Sequence, residues 1–195
     1  MTLREKLVDK LRFEFAIEFF YKVATGSKRM RTLLTPVGVF IFFSLILLFI
    51  VVSLQVDKFL GLAKLLPASL NIIMSVPILA IGLFLMLWSN LNFIKAKGTG
   101  VPFNPPPKLV TSGPYAYIRN PMITGVCILL FGLGILFRSI SLVFVFTPLF
   151  ILLMVLGLIA IEEPELEKRL GKEYVDYKKR MPMFIPQLGR IKYRD

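Results

Sequence analysis

Long apolar runs alternate with short polar segments along most of this chain. Residues 36–56, 67–93, 121–137 and 140–161 contain no Asp, Glu, Lys or Arg. A helix needs about 20 apolar residues to cross the hydrocarbon core of a bilayer, so all four runs predict membrane spans. The third is short, and Arg138 at its end can snorkel to the interface. The first 31 residues follow another pattern: Leu3, Leu7, Leu11, Phe15 and Phe19 fall on one helical stripe, with Arg4, Glu5, Asp9, Lys10 and Arg12 around them. That spacing predicts an amphipathic helix in the interface or capping the bundle, with a dip into the membrane as a fifth span left open. No uninterrupted apolar core or small-residue cleavage site marks a secretory signal there. Beyond the fourth span, Leu166, Leu170, Tyr174 and Tyr177 form a stripe opposed by Lys168, Arg169, Lys172, Lys178 and Lys179, which predicts a helix over the membrane face and an extended segment at 181–186. The expected fold is all-α: a polytopic transmembrane bundle of four to five spans with an amphipathic N-terminal helix and a cytoplasmic C-terminal helix and tail. It reads as one domain over 1–195, divided into the N-terminal helix (1–31), the first two spans (36–94) and the half bearing the polar motifs (95–187).

Composition agrees, since 56% hydrophobic residues exceed what a soluble domain of 195 residues covers with polar surface. Charge sets the expected orientation. Of the 24 Lys and Arg residues, 21 fall before the first span, between spans two and three, or after span four. By the positive-inside rule both termini and both motif loops of this integral membrane protein are expected in the cytoplasm. The net charge of +12 points to anionic membrane lipids rather than nucleic acid. Cys127 has no partner cysteine and the chain has no histidine, which excludes disulfides and argues against a zinc site or histidine acid–base catalysis. No metal site is expected, and the oligomeric state is not legible.

Two polar segments carry the candidate chemistry. The first runs from Gly98-Thr99-Gly100 through Pro105-Pro106-Pro107 and Lys108-Leu109-Val110 to Ser112-Gly113-Pro114-Tyr115 and Arg119-Asn120-Pro121. Three successive prolines hold the chain extended, and Gly98 and Gly100 permit a close backbone approach that a Cβ would block. A connector punctuated by Gly and Pro explains the glycines equally well. Pro121 suits a first helical turn, with Asn120 at the N-cap position and Arg119 at the boundary. A capped helix with interfacial Tyr anchors explains these residues singly but not their crowding. The second segment is Glu162-Glu163-Pro164. Two carboxylates at the C-terminal end of a span face the negative pole of its dipole, and Pro164 is expected to bend or break the helix and free carbonyls near Ala160. A cationic ligand offsets both; solvated acids at a helix end are the plain alternative.

The pattern Ser112-Gly113-Pro114-Tyr115, Tyr117, Arg119-Asn120-Pro121-Met122 and Gly125, followed by Glu162-Glu163, Leu166, Leu170-Gly171-Lys172-Glu173-Tyr174, Tyr177, Pro182 and Pro186, resembles the isoprenylcysteine carboxyl methyltransferase family. The related phospholipid N-methyltransferases share the Gly-x-Gly and Glu-Glu elements. The resemblance covers roughly residues 95–187, and the short architecture looks like a prokaryotic, archaeal member. It implies S-adenosylmethionine as cofactor, held by Gly98, Gly100, Pro107, Lys108, Leu109, Val110, Tyr115, Asn120, Pro121, Met122, Ile123, Glu162 and Glu163. Arg119 and Glu163 are the residues implied in catalysis. Carboxylates suit the sulfonium and ammonium of this cofactor, and a helix N-terminus or Arg119 suits its carboxylate. The sequence departs from the family twice: Asn120 stands where a His is usual, and Leu158 and Ile159 occupy the turn where eukaryotic members carry a substrate-holding Arg.

A carboxylate acceptor is already ionised at neutral pH and needs only desolvation and alignment, whereas an ethanolamine headgroup must first lose a proton to Glu162, Glu163 or a Tyr. The residues thus lean toward O-methylation of a lipid-tailed, isoprenylcysteine-like acid entering from the membrane, with N-methylation of a phospholipid as the alternative. An NADPH-dependent membrane reductase shares a similar Tyr-rich tail, but no strand–helix dinucleotide unit is present. A non-enzymatic membrane scaffold and, further behind, a channel complete the alternatives.

Overall fold

The computed structural model describes the backbone of residues 3–186 and side chains from residue 13 onward; the polar and apolar positions of residues 3–12 and the tail beyond 186 lie outside the described side chains. The described residues form helices and connecting turns only: α1 (Leu3–Thr25), α2 (Lys28–Phe59), α3 (Ala68–Lys95), a 3₁₀ turn (Gly113–Ala116), α4 (Pro121–Leu136), α5 (Thr147–Gly157), α6 (Glu163–Leu170) and α7 (Lys172–Arg180). Two π-helical segments, Leu142–Phe146 and Leu158–Glu162, join α5 and α6 into one continuous helix, Leu142–Leu170.

Three helices are long and apolar enough to cross a membrane: α2, α3 and Leu142–Leu170. The segment read as the third of four spans forms α4, whose 16 residues rise about 24 Å against a hydrocarbon core of about 30 Å. Among the described helices, α1 does not meet this criterion. The outward faces of α2 and α3 are apolar, with Phe40, Ile73 and Phe84 exposed as expected of side chains facing lipid.

Glycine lets α4 lie close against α3. A Cβ on Gly82 would meet the Gly125 carbonyl at 2.9 Å, and one on Gly125 would meet the Gly82 carbonyl at 2.8 Å. Without a strong hydrophobic drive inside lipid, such backbone approach supplies the packing that holds helices together. Gly132 faces Leu79 and Gly134 faces Val143, so the small residues of α4 are used within the chain. The core gathers Phe49, Val126, Leu130, Leu142 and Phe150, with Phe49 edge-on to both Phe146 and Phe150. At the far end, Arg138 turns through φ +59°, donates from Nε to the Leu66 carbonyl at 2.6 Å, and leaves the Ser141 amide to donate to Asp57 Oδ1 at 2.9 Å.

Two expectations for the C-terminal third are corrected. The helix does not break at Pro164: the wide turn of Leu158–Glu162, in which the Glu163 amide donates to the Leu158 carbonyl, makes room for the ring, and the helix runs on to Leu170. Glu162 and Glu163 therefore lie inside a helix rather than at its negative pole. The stripe from Leu166 to Tyr177 is not one helix either. Gly171, at φ +61° in the left-handed region that glycine adopts freely, ends α6 and starts α7 in a new direction.

Candidate functional site

The polar segment after α3 folds back on itself. The Gly98 amide donates to the Phe93 carbonyl at 2.9 Å, and the Thr99 amide donates to the Asn104 carbonyl at 2.8 Å. Phe103 packs outward against Phe20 of α1, with ring centroids 5.5 Å apart, and over Gly38 of α2, where a Cβ would come within 2.4 Å of the ring. The chain then returns along α6 through Pro106 and reaches the 3₁₀ turn, where Tyr115 stacks on Phe93 at 4.7 Å. Asn120 precedes α4 as expected, yet its side chain makes no cap; its amide donates to the Met183 carbonyl and the Arg119 amide to the Pro182 carbonyl, at 3.2 and 2.9 Å. The segment after α7 is thereby strapped to the start of α4.

The adjacent carboxylates Glu162 and Glu163 have opposite surroundings. Glu163 is buried and takes two cations: Arg119 Nη1 donates to Oε1 at 2.6 Å and Lys178 Nζ to Oε2 at 2.7 Å. Lys178 also reaches Glu167 at 2.9 Å, and these carboxylate hydrogen bonds raise its pKa. Glu162 lines the cleft between the loop and α6–α7, and its carboxylate makes no ion pair with a described residue. Arg119 lines the same cleft, and its Nε is buried without an acceptor. A buried donor left unpaired costs about 1–3 kcal/mol, which an anionic ligand relieves.

The cleft has a cavity volume of about 100 Å³ and is partly open to the exterior. Phe93 and Tyr115 form one wall, Leu166, Tyr174 and Tyr177 another. Burial pushes the phenols of Tyr115, Tyr174 and Tyr177 well above the ordinary tyrosine range, so all three are neutral hydrogen-bonding groups at pH 7. Tyr177 donates to the Tyr115 carbonyl at 2.8 Å and so joins α7 to the first polar segment.

Of the residues singled out in the sequence, Gly100, Lys108, Leu109, Val110, Tyr115, Arg119, Asn120 and Glu162 line this cleft. Gly98, Pro107, Pro121, Met122, Ile123 and Glu163 lie outside its lining. Gly98 faces Pro106, and Gly100 faces the Met122 sulfur, each too close for a Cβ. Glu163 touches the cleft through Arg119. Sequence reasoning missed Phe93, Pro106 and Arg169 as lining residues. The helical pattern sets Arg169 opposite the apolar stripe, yet its side chain is only 9% exposed and donates from Nε to Glu165, itself buried, at 2.7 Å. The favourable Glu-to-Arg i,i+4 spacing was the available signal.

A sequence model of the family described as phospholipid methyltransferase matches residues 70–173, more than half of the chain. Comparison with curated proteins and with solved structures returns no match. The matched segment runs from α3 through α6 into the start of α7 and so contains most of the cleft lining.

Proposed function

The chain belongs to the phospholipid methyltransferase family, which includes isoprenylcysteine-type membrane methyltransferases, and we propose that it binds S-adenosylmethionine in this cleft and methylates the carboxylate of a lipid-tailed, isoprenylcysteine-like acid. The observation carrying this reading is that one cleft holds both the Glu162 carboxylate, which makes no ion pair with a described residue, and the buried Arg119 Nε, which has no acceptor. A zwitterionic ligand bearing positive charge and a carboxylate complements both. Lining residues Gly100, Lys108, Leu109, Val110, Tyr115 and Asn120 supply the remaining contacts, with Pro107, Pro121, Met122 and Ile123 supporting them from behind. The clustering of basic residues on the cleft side of the spans supports a cytoplasmic cleft.

When bound, the cofactor supplies a methyl group activated by a sulfonium. The protein's part is alignment and exclusion of water. Glu163, itself held by Lys178, fixes Arg119, whose unpaired Nε is available to orient an anion, and Tyr174 and Tyr177 of α7 wall the cleft. A carboxylate acceptor needs no base, and the neutral phenols of the cleft offer none. One observation favours a second reading, N-methylation of an ethanolamine headgroup: the unpaired Glu162 can accept the proton which that acceptor must lose.

Calorimetric titration of the purified protein with S-adenosylmethionine, its demethylated product and NADPH tests the cofactor. Binding of the first two alone supports the reading, and NADPH binding in their place overturns it. Radiolabelled methyl transfer to a prenyl thioether acid or to phosphatidylethanolamine then decides the acceptor.

A further inference from the structure

Three successive prolines present carbonyls but no amide donors, so their backbone can only accept hydrogen bonds. In this cleft the partner is Arg169. Its Nη1 donates to the Pro106 carbonyl at 2.9 Å while its Nε donates to Glu165 Oε1 at 2.7 Å. Pro106 is buried, and Gly98 lies so close to it that a Cβ there would come within 2.3 Å of the Pro106 nitrogen. Pro106 is thus pinched between a glycine and a guanidinium, and that guanidinium is itself oriented by a buried carboxylate one turn back on the same helix. The planar fork of Arg bridges the two acceptors; Lys, with one compact charge, satisfies the ion pair without the second arm.

We propose that Arg169 is a positioning residue: braced by Glu165, it ties the proline loop to α6 and sets the width of the cleft in which the cofactor is held. The proposal rests on the assignment of this cleft to the cofactor. Glu162, Leu166 and Arg169 follow one another at i, i+4 and i+7 and share the cleft-facing side of the helix. Separation of the proline loop from Arg169 therefore opens the wall that faces Glu162. The cleft is assembled by one bridge at each end of this face: Arg119 to Glu163 at one, Arg169 to Pro106 at the other.

The test compares wild-type protein with Arg169→Lys, Arg169→Gln and Gly98→Ala in lipid nanodiscs. Readouts are amide hydrogen exchange, calorimetric titration with S-adenosylmethionine, and thermal unfolding. Arg169→Lys is expected to speed exchange in loop residues 99–110 while the amides of α3 and α4 keep wild-type rates, and to weaken cofactor binding about tenfold with an unchanged unfolding midpoint. Gly98→Ala, which displaces Pro106 from the other side, is expected to reproduce the loop effect. Wild-type exchange in the loop of both Arg169 variants overturns the proposal. So does a general acceleration across the α3–α4 pair, which marks Arg169 as a stability residue only. If wild-type protein does not bind S-adenosylmethionine, the functional assignment fails, and loop exchange still decides whether Arg169 positions the loop.

Discussion

The two π-helical segments of the Leu142–Leu170 helix have the same local cause and different consequences. Each ends two residues before a proline, Pro148 in one case and Pro164 in the other. A proline ring clashes with the carbonyl four residues earlier, and a widened turn relieves the clash without ending the helix. At Leu142–Phe146 the side chains are apolar: Leu142 and Val143 are buried against other helices, Phe146 is edge-on to Phe49, and Phe144 and Val145 face outward. At Leu158–Glu162 the same widening ends on one carboxylate and adjoins the next, and it coincides with their division, Glu163 toward cations and Glu162 toward the cleft. The backbone device is thus neutral with respect to function; the side chains it re-aims decide whether it builds packing or a site.

The comparison breaks most strongly at the two anchors. Glu163→Ala leaves Arg119 and Lys178 facing each other without their carboxylate and is expected to cost about 3–5 kcal/mol of stability, together with measurable cofactor binding. Phe150→Ala, beside the first π segment, removes a fully buried ring. It is expected to cost about 3 kcal/mol while the folded fraction keeps wild-type cofactor affinity. Thermal unfolding paired with calorimetry separates the two, and equal loss of affinity in both would erase the distinction between the regions.

A smaller and sharper effect is expected at the neighbouring carboxylate. Glu162→Gln keeps the shape but replaces the ionisable carboxylate of the cleft with a neutral amide, so cofactor binding weakens about ten- to a hundredfold with no fall in unfolding midpoint. Replacement of the prolines follows. Pro164→Ala allows the second segment to relax toward a regular helix and is expected to weaken binding by about 1 kcal/mol, whereas Pro148→Ala changes binding not at all and stability by less than about 0.5 kcal/mol. The smallest effect is at alkaline pH. Hydrogen bonds to Glu163 and Glu167 raise the Lys178 pKa, so its contribution is fully present below the ordinary lysine value of about 10.4 and fades as pH rises through the higher folded value. A Lys178→Met variant should therefore converge with wild type in unfolding midpoint as the pH is raised into that range.

Much of the molecule is readable from residue order. The apolar runs locate α2, α3, α4 and the Leu142–Leu170 helix because membrane-grade hydrophobicity is a local, additive property. The positions of Arg119, Asn120 and the Glu162-Glu163 pair are likewise marked, since charged and amide groups at the ends of apolar runs stand out without any knowledge of contacts. Membership of a membrane methyltransferase family follows from the same residues.

Which carboxylate pairs and which stays free was not readable, because Glu162 and Glu163 are neighbours with identical side chains, and only the turn of the helix beneath them separates their directions. The buried bridge from Arg169 to Pro106 joins residues 63 positions apart. Helical periodicity alone sets Arg169 opposite the apolar stripe and takes no account of a proline loop laid over that face. Sequence by itself therefore determined the helices, their apolar surfaces and the polar residues available at their ends, all of which depend on composition within a few turns. The tertiary structure decided how those residues divide into bracing pairs and cleft-facing groups, because ion pairing and burial depend on distances between segments far apart in the chain.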